Sequence, residues 1–339
     1  MSLFTSKSAP HLDELSPTAA MPGGEVHLRG THFTAPSQAS IGDTPAPLTL
    51  SRSAHAILRV PEGTISGAVK LRSHGAESNG LLLNVAIPLA ENLHPVSNPC
   101  VDSDGNLYAT FSGPRGQAVP VSIFRIDRDY QLRPFVRDLM NATGLAFSPD
   151  GDLFVTSRAE GNVYRIDSSG ESTIYAEGMG VATGCVFDAQ GNLFVGDRSG
   201  TIFKIDTQRK IFVYATLEPS VAAYHLALHT DGTLFVTAPS LSSNDCVWAI
   251  DTHGTARVWY RGLGRPQGLA LAANGDLYVA ACLHGQRGLV RITPAGEASL
   301  AVAGLNLIGL AFSPLGTTIL ASNEAVYDVD LGIHGLMLY

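Results

Sequence analysis

The chain has 339 residues, of which 15% are charged, and its 22 Lys and Arg against 30 Asp and Glu leave a formal net charge of −8. No basic cluster runs longer than a pair, so neither a nucleic-acid groove nor an anionic membrane surface is expected as a partner. The 35 glycines and the lack of long helical periodicity fit an all-β chain long enough for two domains, and no run approaches the ~18 apolar residues of a membrane span.

The opening stretch, Met1 to Pro10, lacks the apolar core of a secretory signal, so a soluble, cytoplasmic chain is expected; a chain with a removed leader would read the same. From residue 10 to 86, short alternating strands are predicted at Glu25–Arg29, Ala56–Val60 and Ala68–Arg72. Turn signals at Pro22-Gly23-Gly24, Gly42-Asp43, Pro61-Glu62-Gly63 and Gly75 separate them. The pattern predicts a small Ig-like β-sandwich. Leu15-Ser16-Pro17, Pro22-Gly23-Gly24, the run Val26 to Phe33, Val60-Pro61 and the closing Ser78-Asn79 resemble the IPT/TIG immunoglobulin-like domain. That resemblance implies an interaction module and a possible protein partner. The linker, Ile87-Pro88-Leu89, is short and apolar, so the sandwich is expected to pack on the C-terminal domain rather than swing freely.

From residue 92 to 339 one phrase recurs: an apolar run, a polar-Gly turn, then Leu with an aromatic residue. It reads Asp102 to Tyr108, Ser148 to Phe154, Asp188 to Phe194, His229 to Phe235, Ala272 to Tyr278 and, degraded, Ser313 to Ile319. The turn glycines 105, 151, 191, 232, 275 and 316 are spaced by 46, 40, 41, 43 and 41 residues. A period of roughly 40 to 50 residues built from short strands predicts a propeller blade, and six copies predict a six-bladed β-propeller. Each third strand closes on an Ile-Asp pair or a variant of it, as at Asp127, Asp167, Asp206 and Asp251. Those aspartates read as turn residues accepting backbone N–H bonds. The final run, His334 to Tyr339, is expected to supply the outer strand that completes the sixth blade. Cys100, Cys185, Cys246 and Cys282 show no CxxC or zinc-like spacing and read as small buried thiols.

In such a ring the starts of the inner strands and the loops after the second strands share one face. The strand starts supply Asn98, Thr143, Thr183, Tyr224, His225, Gln267 and Ile308. The loops supply Ser157 with Arg158, Asp197 with Arg198, Pro239, His284, and Asn323 with Glu324. Convergent polar groups at a channel mouth make a candidate binding site. His225, His284 and Glu324 are the candidate catalytic groups, and Arg158, Arg198, Tyr224, Thr143, Thr183 and Gln267 the candidates for holding substrate. The loops from Gly113 to Pro120 and from Ser240 to Asp245 are candidate lids.

Phrases such as Gly144 to Val155 resemble the gluconolactonase/regucalcin family of propellers and its NHL-repeat relatives, over residues 92 to 339. The resemblance implies hydrolysis of a small ester, lactone or related electrophile, with a divalent cation such as Ca2+ on the channel axis. The family's ligand Glu is here Ser97, in Ser97-Asn98-Pro99, and its Asn-Gly-Leu strand start becomes Thr143-Gly144-Leu145, Thr183-Gly184-Cys185, Gln267-Gly268-Leu269 and Ile308-Gly309-Leu310. The family Asp survives once, as Asp197. Asn98, Asp197 and Glu324 then form the candidate metal set, with His225 or His284 as a metal-free base instead. Two alternatives stand beside the hydrolase: a non-catalytic propeller that binds a small molecule or a protein, and a lyase, which would need a His and a Glu, such as His284 and Glu324, to face one another.

Overall fold

A computed structural model describes residues 8–33, 37–336 and 338, and nearly all of their regular structure is β. The chain divides into two compact units. The first comprises residues 1–87 with Gln286–Leu289 and Leu300–Leu305, the second the remainder.

In the first unit, His11–Ser16, Glu25–Thr31, His55–Arg59 and Leu48–Ser51 form one antiparallel sheet. The strands Ala19–Ala20, Leu81–Val85, Gly67–Ser73, Ser37–Ile41 and Thr44–Ala46 form the facing layer. Alternation drives the pairing: along Glu25–Thr31, Val26 and Leu28 are buried while Glu25 and Arg29 face solvent. Leu12, Val26, Leu28 and Leu58 of one sheet meet Val69, Leu71 and Leu83 of the other in a single core. The closing Ser78-Asn79 pair ties the sheets. Ser78 Oγ accepts Leu71 N at 2.9 Å, and the Asn79 amide brackets Leu12, accepting its N–H at 2.8 Å and donating to its carbonyl at 2.9 Å. Within this unit Ala20 also pairs in parallel with Ala303.

The second unit carries the repeats, except that the parts of blade five at Gln286–Leu289 and within Leu300–Leu305 group with the first unit. Blade one is Cys100–Val101, Leu107–Thr110, Ile123–Ile126 and Leu132–Val136. Blade two is Ala142–Phe147, Leu153–Ser157, Asn162–Ile166 and Ser172–Ala176; blade three is Ala182–Phe187, Leu193–Asp197, Thr201–Ile205 and Ile211–Thr216. Blade four is His225–Leu228, Leu234–Thr237, Asp245–Ile250 and Ala256–Gly264. Blade five is Leu269–Leu271, Leu277–Leu283, Gln286–Ile292 and Ala298–Ala303. Blade six takes Leu307–Phe312, Thr318–Ser322 and Val326–Val329 from its own repeat. The fold is thus all-β, a propeller of six blades after a β-sandwich.

The repeat phrase builds each blade in two ways. Its glycine turns the chain between the first and second strands with φ between 83° and 87° at all six positions, a region that costs a side-chain-bearing residue but not glycine. Its aromatic residue packs across to the next blade. Tyr108 meets Phe147, Phe154 meets Phe187 and Tyr278 meets Phe312, edge to face with centroids 5.4, 4.8 and 5.5 Å apart. The third-strand aspartates are turn residues, as expected. Asp206 Oδ1 accepts the N–H groups of Gln208 and Lys210 at 2.9 and 2.8 Å, and Asp127, Asp167 and Asp251 do the same two and four residues on.

The ring closes differently from the sequence expectation. The outer strand of blade six is Ile87–Ala90, from the linker, paired with Val326–Val329. Pro88, which has no N–H, is tolerated because the strand lies at a sheet edge. After the third strand, Asp330 Oδ1 accepts Gly332 N at 2.9 Å and Gly332 turns with φ 63°, which leads the chain away from that edge. The tail then meets blade five: Ala273 N donates to His334 O at 2.8 Å and Leu336 N to Leu271 O at 2.9 Å, with Gly335 bridged to Ala272. Met337 and Tyr339 lie outside the described residues.

Candidate functional site

The inner-strand starts are held together by a relay of hydroxyls. Thr156 Oγ1 accepts Gly144 N at 2.8 Å and donates to the Thr183 carbonyl; Thr183 Oγ1 donates to Gly196 O at 2.9 Å and accepts Tyr224 N at 3.0 Å. Thr237 Oγ1 donates to the Gln267 carbonyl. Gly144 and Gly184 are glycines because a Cβ there would run into the Thr183 and Tyr224 carbonyls of the following blade. The Thr143 hydroxyl donates to Asn141 O at 2.9 Å. Thr143 and Thr183 are therefore buried and bonded to backbone, and the close approach of the strands is what they secure.

Asn98 plays a similar part between blades five and six. Its Nδ2 donates to Leu269 O at 2.9 Å and its Oδ1 accepts Leu310 N at 3.2 Å, with Gly268 and Gly309 leaving room for the amide. Asp197 is buried, with Oδ1 accepting Val181 N at 2.8 Å and Oδ2 accepting from the Ser199 hydroxyl. Glu324 is exposed in the turn from Ser322 to Ala325, where its backbone N–H donates to Ser322 Oγ at 3.2 Å. Of the three nominated oxygen ligands, Asn98 and Asp197 are thus already engaged by backbone or hydroxyl partners and Glu324 stands on an exposed turn. Among the described residues no group of three or more His, Cys, Asp or Glu is placed to share a metal ion.

The two nominated bases stand in opposite environments. His225 opens blade four and is 1% exposed; its Nδ1 lies 3.5 Å from the hydroxyl of Ser97, which opens blade one, and its Nε2 has no partner among the described residues. Blades one and four face one another in a ring of six, so this pair crosses the axis and constricts the channel. Burial lowers the His225 pKa to about 4, so the ring is neutral at pH 7 and weakly basic. His284 lies in the exposed turn between the second and third strands of blade five, with φ 50° ahead of Gly285 at 85°. No hydrogen bond or ion pair joins His284 to Glu324 among the described residues. Tyr224 is wholly buried, its hydroxyl donating to the Glu218 carbonyl, and burial together with the negative Asp197 and Glu218 raises its pKa.

The second-strand loops hold their arginines against backbone carbonyls. Arg158 N donates to Asn141 O at 3.3 Å and its Nη2 to Gly113 O at 2.9 Å, while its buried Nε has no partner among the described residues. Burial lowers the Arg158 pKa, and the positive charges of Arg115 and Arg198 add to the effect. Arg198 reaches sideways, Nε to Ser220 O at 3.1 Å and Nη2 to Val221 O at 2.9 Å. Gln267 is half-buried and its side-chain amide makes no hydrogen bond among the described residues. The two candidate lids are tied down. Asn141 accepts Gly116 N at 2.6 Å and donates to the Gly113 and Pro114 carbonyls, and Asp245 accepts from Ser240. Sequence reasoning named the first of these loops but missed Arg115 within it and Asn141 beneath it. The signal for Asn141 was faint, a polar residue just before the inner strand of blade two, where the backbone takes φ 48°.

Beyond the Ser97–His225 constriction the channel widens to a cavity of about 340 Å3 lined by the far ends of the inner strands, among them Cys100, Leu145, Cys185, Leu226 and Leu310, and by the tail at Leu336 and Leu338. Burial raises the pKa of both thiols, to about 12 for Cys185. No helix among the described residues is long and apolar enough to cross a membrane.

No family model and no curated protein sequence matches this chain. Solved structures do. An auxiliary nutrient binding protein from Bacteroides thetaiotaomicron aligns over 95% of this chain and 98% of its own, at 13% identity and a TM-score of 0.57. A gluconolactonase from Xanthomonas campestris aligns over 72% of this chain and 88% of its own, at 13% identity and a TM-score of 0.60. A catalytically inactive variant of virginiamycin B lyase from Staphylococcus aureus, with quinupristin, aligns over 98% of both chains at 12% identity and a TM-score of 0.52. At these identities the likeness is one of fold: the chain shares its propeller architecture with proteins described as lactonases, lyases and nutrient-binding proteins.

Proposed function

We propose that this chain is a ligand-binding propeller that takes a small molecule at the mouth formed by the inner-strand starts and second-strand loops, without turning it over. One observation carries the reading: the Asn98 amide and the Asp197 carboxylate, which a metal-assisted reaction would need, are bound into the scaffold and His225 is buried, whereas at the rim the Arg158 Nε has no partner among the described residues. A buried His225 with its pKa lowered to about 4 is a weak general base, and the nominated Asp197 is already engaged by Val181 N and the Ser199 hydroxyl. Two neighbours spanning 95% and 97% of the chain are described as auxiliary nutrient binding proteins, and that description agrees with this reading.

The test is turnover against binding on one panel. Lactones, activated esters and small metabolite-like compounds are offered to the full chain with and without chelator, hydrolysis being followed by acid release and binding by the rise in melting temperature. Binding without hydrolysis above buffer is expected. Hydrolysis lost on chelation and in Asp197→Ala would restore the metal-dependent hydrolase reading, and hydrolysis that resists chelator but is lost in His225→Ala or His284→Ala would restore the metal-free one.

A further inference from the structure

We infer that the mouth is specific for small oxyanions, a carboxylate or a phosphate, held at the rim of blades one to three by Arg115, Arg158 and Arg198. The inference rests on the mouth being a binding site and names the class of ligand it takes. The three arginines lie in corresponding loops: Arg158 and Arg198 each follow the last residue of a second strand directly, and Arg115 lies further along the loop after the second strand of blade one, which ends at Thr110. The Arg158 guanidinium lies against the Gly113 carbonyl, in the same loop as Arg115 and two residues before it. That loop is fixed by Asn141, so Arg115 and Arg158 are held near one another.

None of the three forms an ion pair among the described residues; every partner of Arg158 and Arg198 is a backbone carbonyl, and Arg115 has none. The nearest acidic neighbour in sequence, Asp197, has both oxygens engaged by Val181 N and the Ser199 hydroxyl. In a chain with net charge −8, three like charges gathered without a counterion repel one another, and an anion relieves that repulsion. The buried Arg158 Nε is a donor lacking an acceptor, which an oxyanion supplies. A guanidinium fork matches the two oxygens of a carboxylate or phosphate in a way that an uncharged sugar or lactone cannot equal.

The experiment is calorimetric titration of the full chain with inorganic phosphate and with citrate, at constant ionic strength, with glucose and gluconolactone as uncharged controls. Saturable binding of one or both anions is expected, and the probe that binds more tightly tells phosphate from carboxylate. Arg158→Gln should weaken that binding about ten- to a hundredfold, as expected for loss of a charge-assisted contact. Arg115→Ala, at an exposed residue without partners, should weaken it several-fold without changing the unliganded melting temperature, so the test stands even if Arg158→Gln folds poorly. Absence of anion binding, or binding unchanged in both variants, overturns the inference. If an uncharged control alone binds, the binding reading survives and the anion class does not; if the lactone is hydrolysed instead, the binding reading itself falls.

Discussion

The two ends of the propeller channel are made by the same six inner strands yet differ in kind. At the strand starts, polar residues cluster, but Thr183, Asn98 and Tyr224 are engaged in holding neighbouring blades at close approach. At the strand ends the residues are mostly apolar and leave a cavity of about 340 Å3 that the tail helps to line. The contrast teaches that polarity at a channel mouth is not the same as availability. Ligand capacity at the first end lies in the second-strand loops, which the backbone network leaves partly free, and at the second end in volume alone.

The largest expected effect tests the committed end. Asn98→Ala removes both amide contacts and leaves Leu269 O and Leu310 N without partners, which should cost about 2–5 kcal/mol in urea unfolding. A cost under ~0.5 kcal/mol would return Asn98 to the list of free ligands.

His225 gives the next effect, through pH. Its folded pKa of about 4 lies below the 6.5 of an unperturbed histidine, so the unfolded chain binds the proton more tightly. Its contribution is full above pH 6.5 and is lost as pH falls from 6.5 to about 4, on the order of 3 kcal/mol in all. Unfolding midpoints measured across that window should fall in the wild type and flatten in His225→Gln. Parallel profiles would show that the constriction at Ser97 and His225 is open to solvent.

A smaller effect is expected at the apolar end. Deleting residues 334–339 removes the tail from the cavity but leaves the sixth blade intact, since Ile87–Ala90 closes it. The loss should be roughly 1–3 kcal/mol, with increased binding of a hydrophobic dye. Failure to fold would indicate that the tail, and not the linker strand, closes the ring. The smallest effect is at the free rim: Arg115→Ala should change unliganded stability by less than about 0.5 kcal/mol, read from the melting midpoint.

The blades were legible in the sequence because each depends on local chemistry: a glycine that must take positive φ, and an aspartate that must cap the next turn. Ring closure was not, because Ile87–Ala90 and the residues from 334 onward are both apolar segments at chain positions able to reach the last blade. The choice between them turned on Gly332 and the course of the chain after Asp330. The candidate site was legible by position only. Thr143, Thr183, Asn98 and Asp197 do lie where inner strands begin or second strands end. Whether the Thr183 or Asn98 oxygen is free, however, depends on an N–H from another blade, 41 and 212 residues away in the chain. Arg115 escaped notice for the converse reason: its importance comes from Asn141 pinning its loop beside Arg158, and neither Arg115 nor Asn141 belongs to the repeat phrase.

The most direct measurement is a crystal structure of the full chain soaked in turn with citrate and with phosphate, in a buffer containing calcium. Density for the anion is expected against Arg115 and Arg158, within hydrogen-bond distance of Arg158 Nε, while Asn98 keeps its contacts to Leu269 and Leu310. A spherical ion at ~2.3–2.6 Å from Asn98 and Asp197 oxygens, with the arginine rim empty, would contradict this expectation.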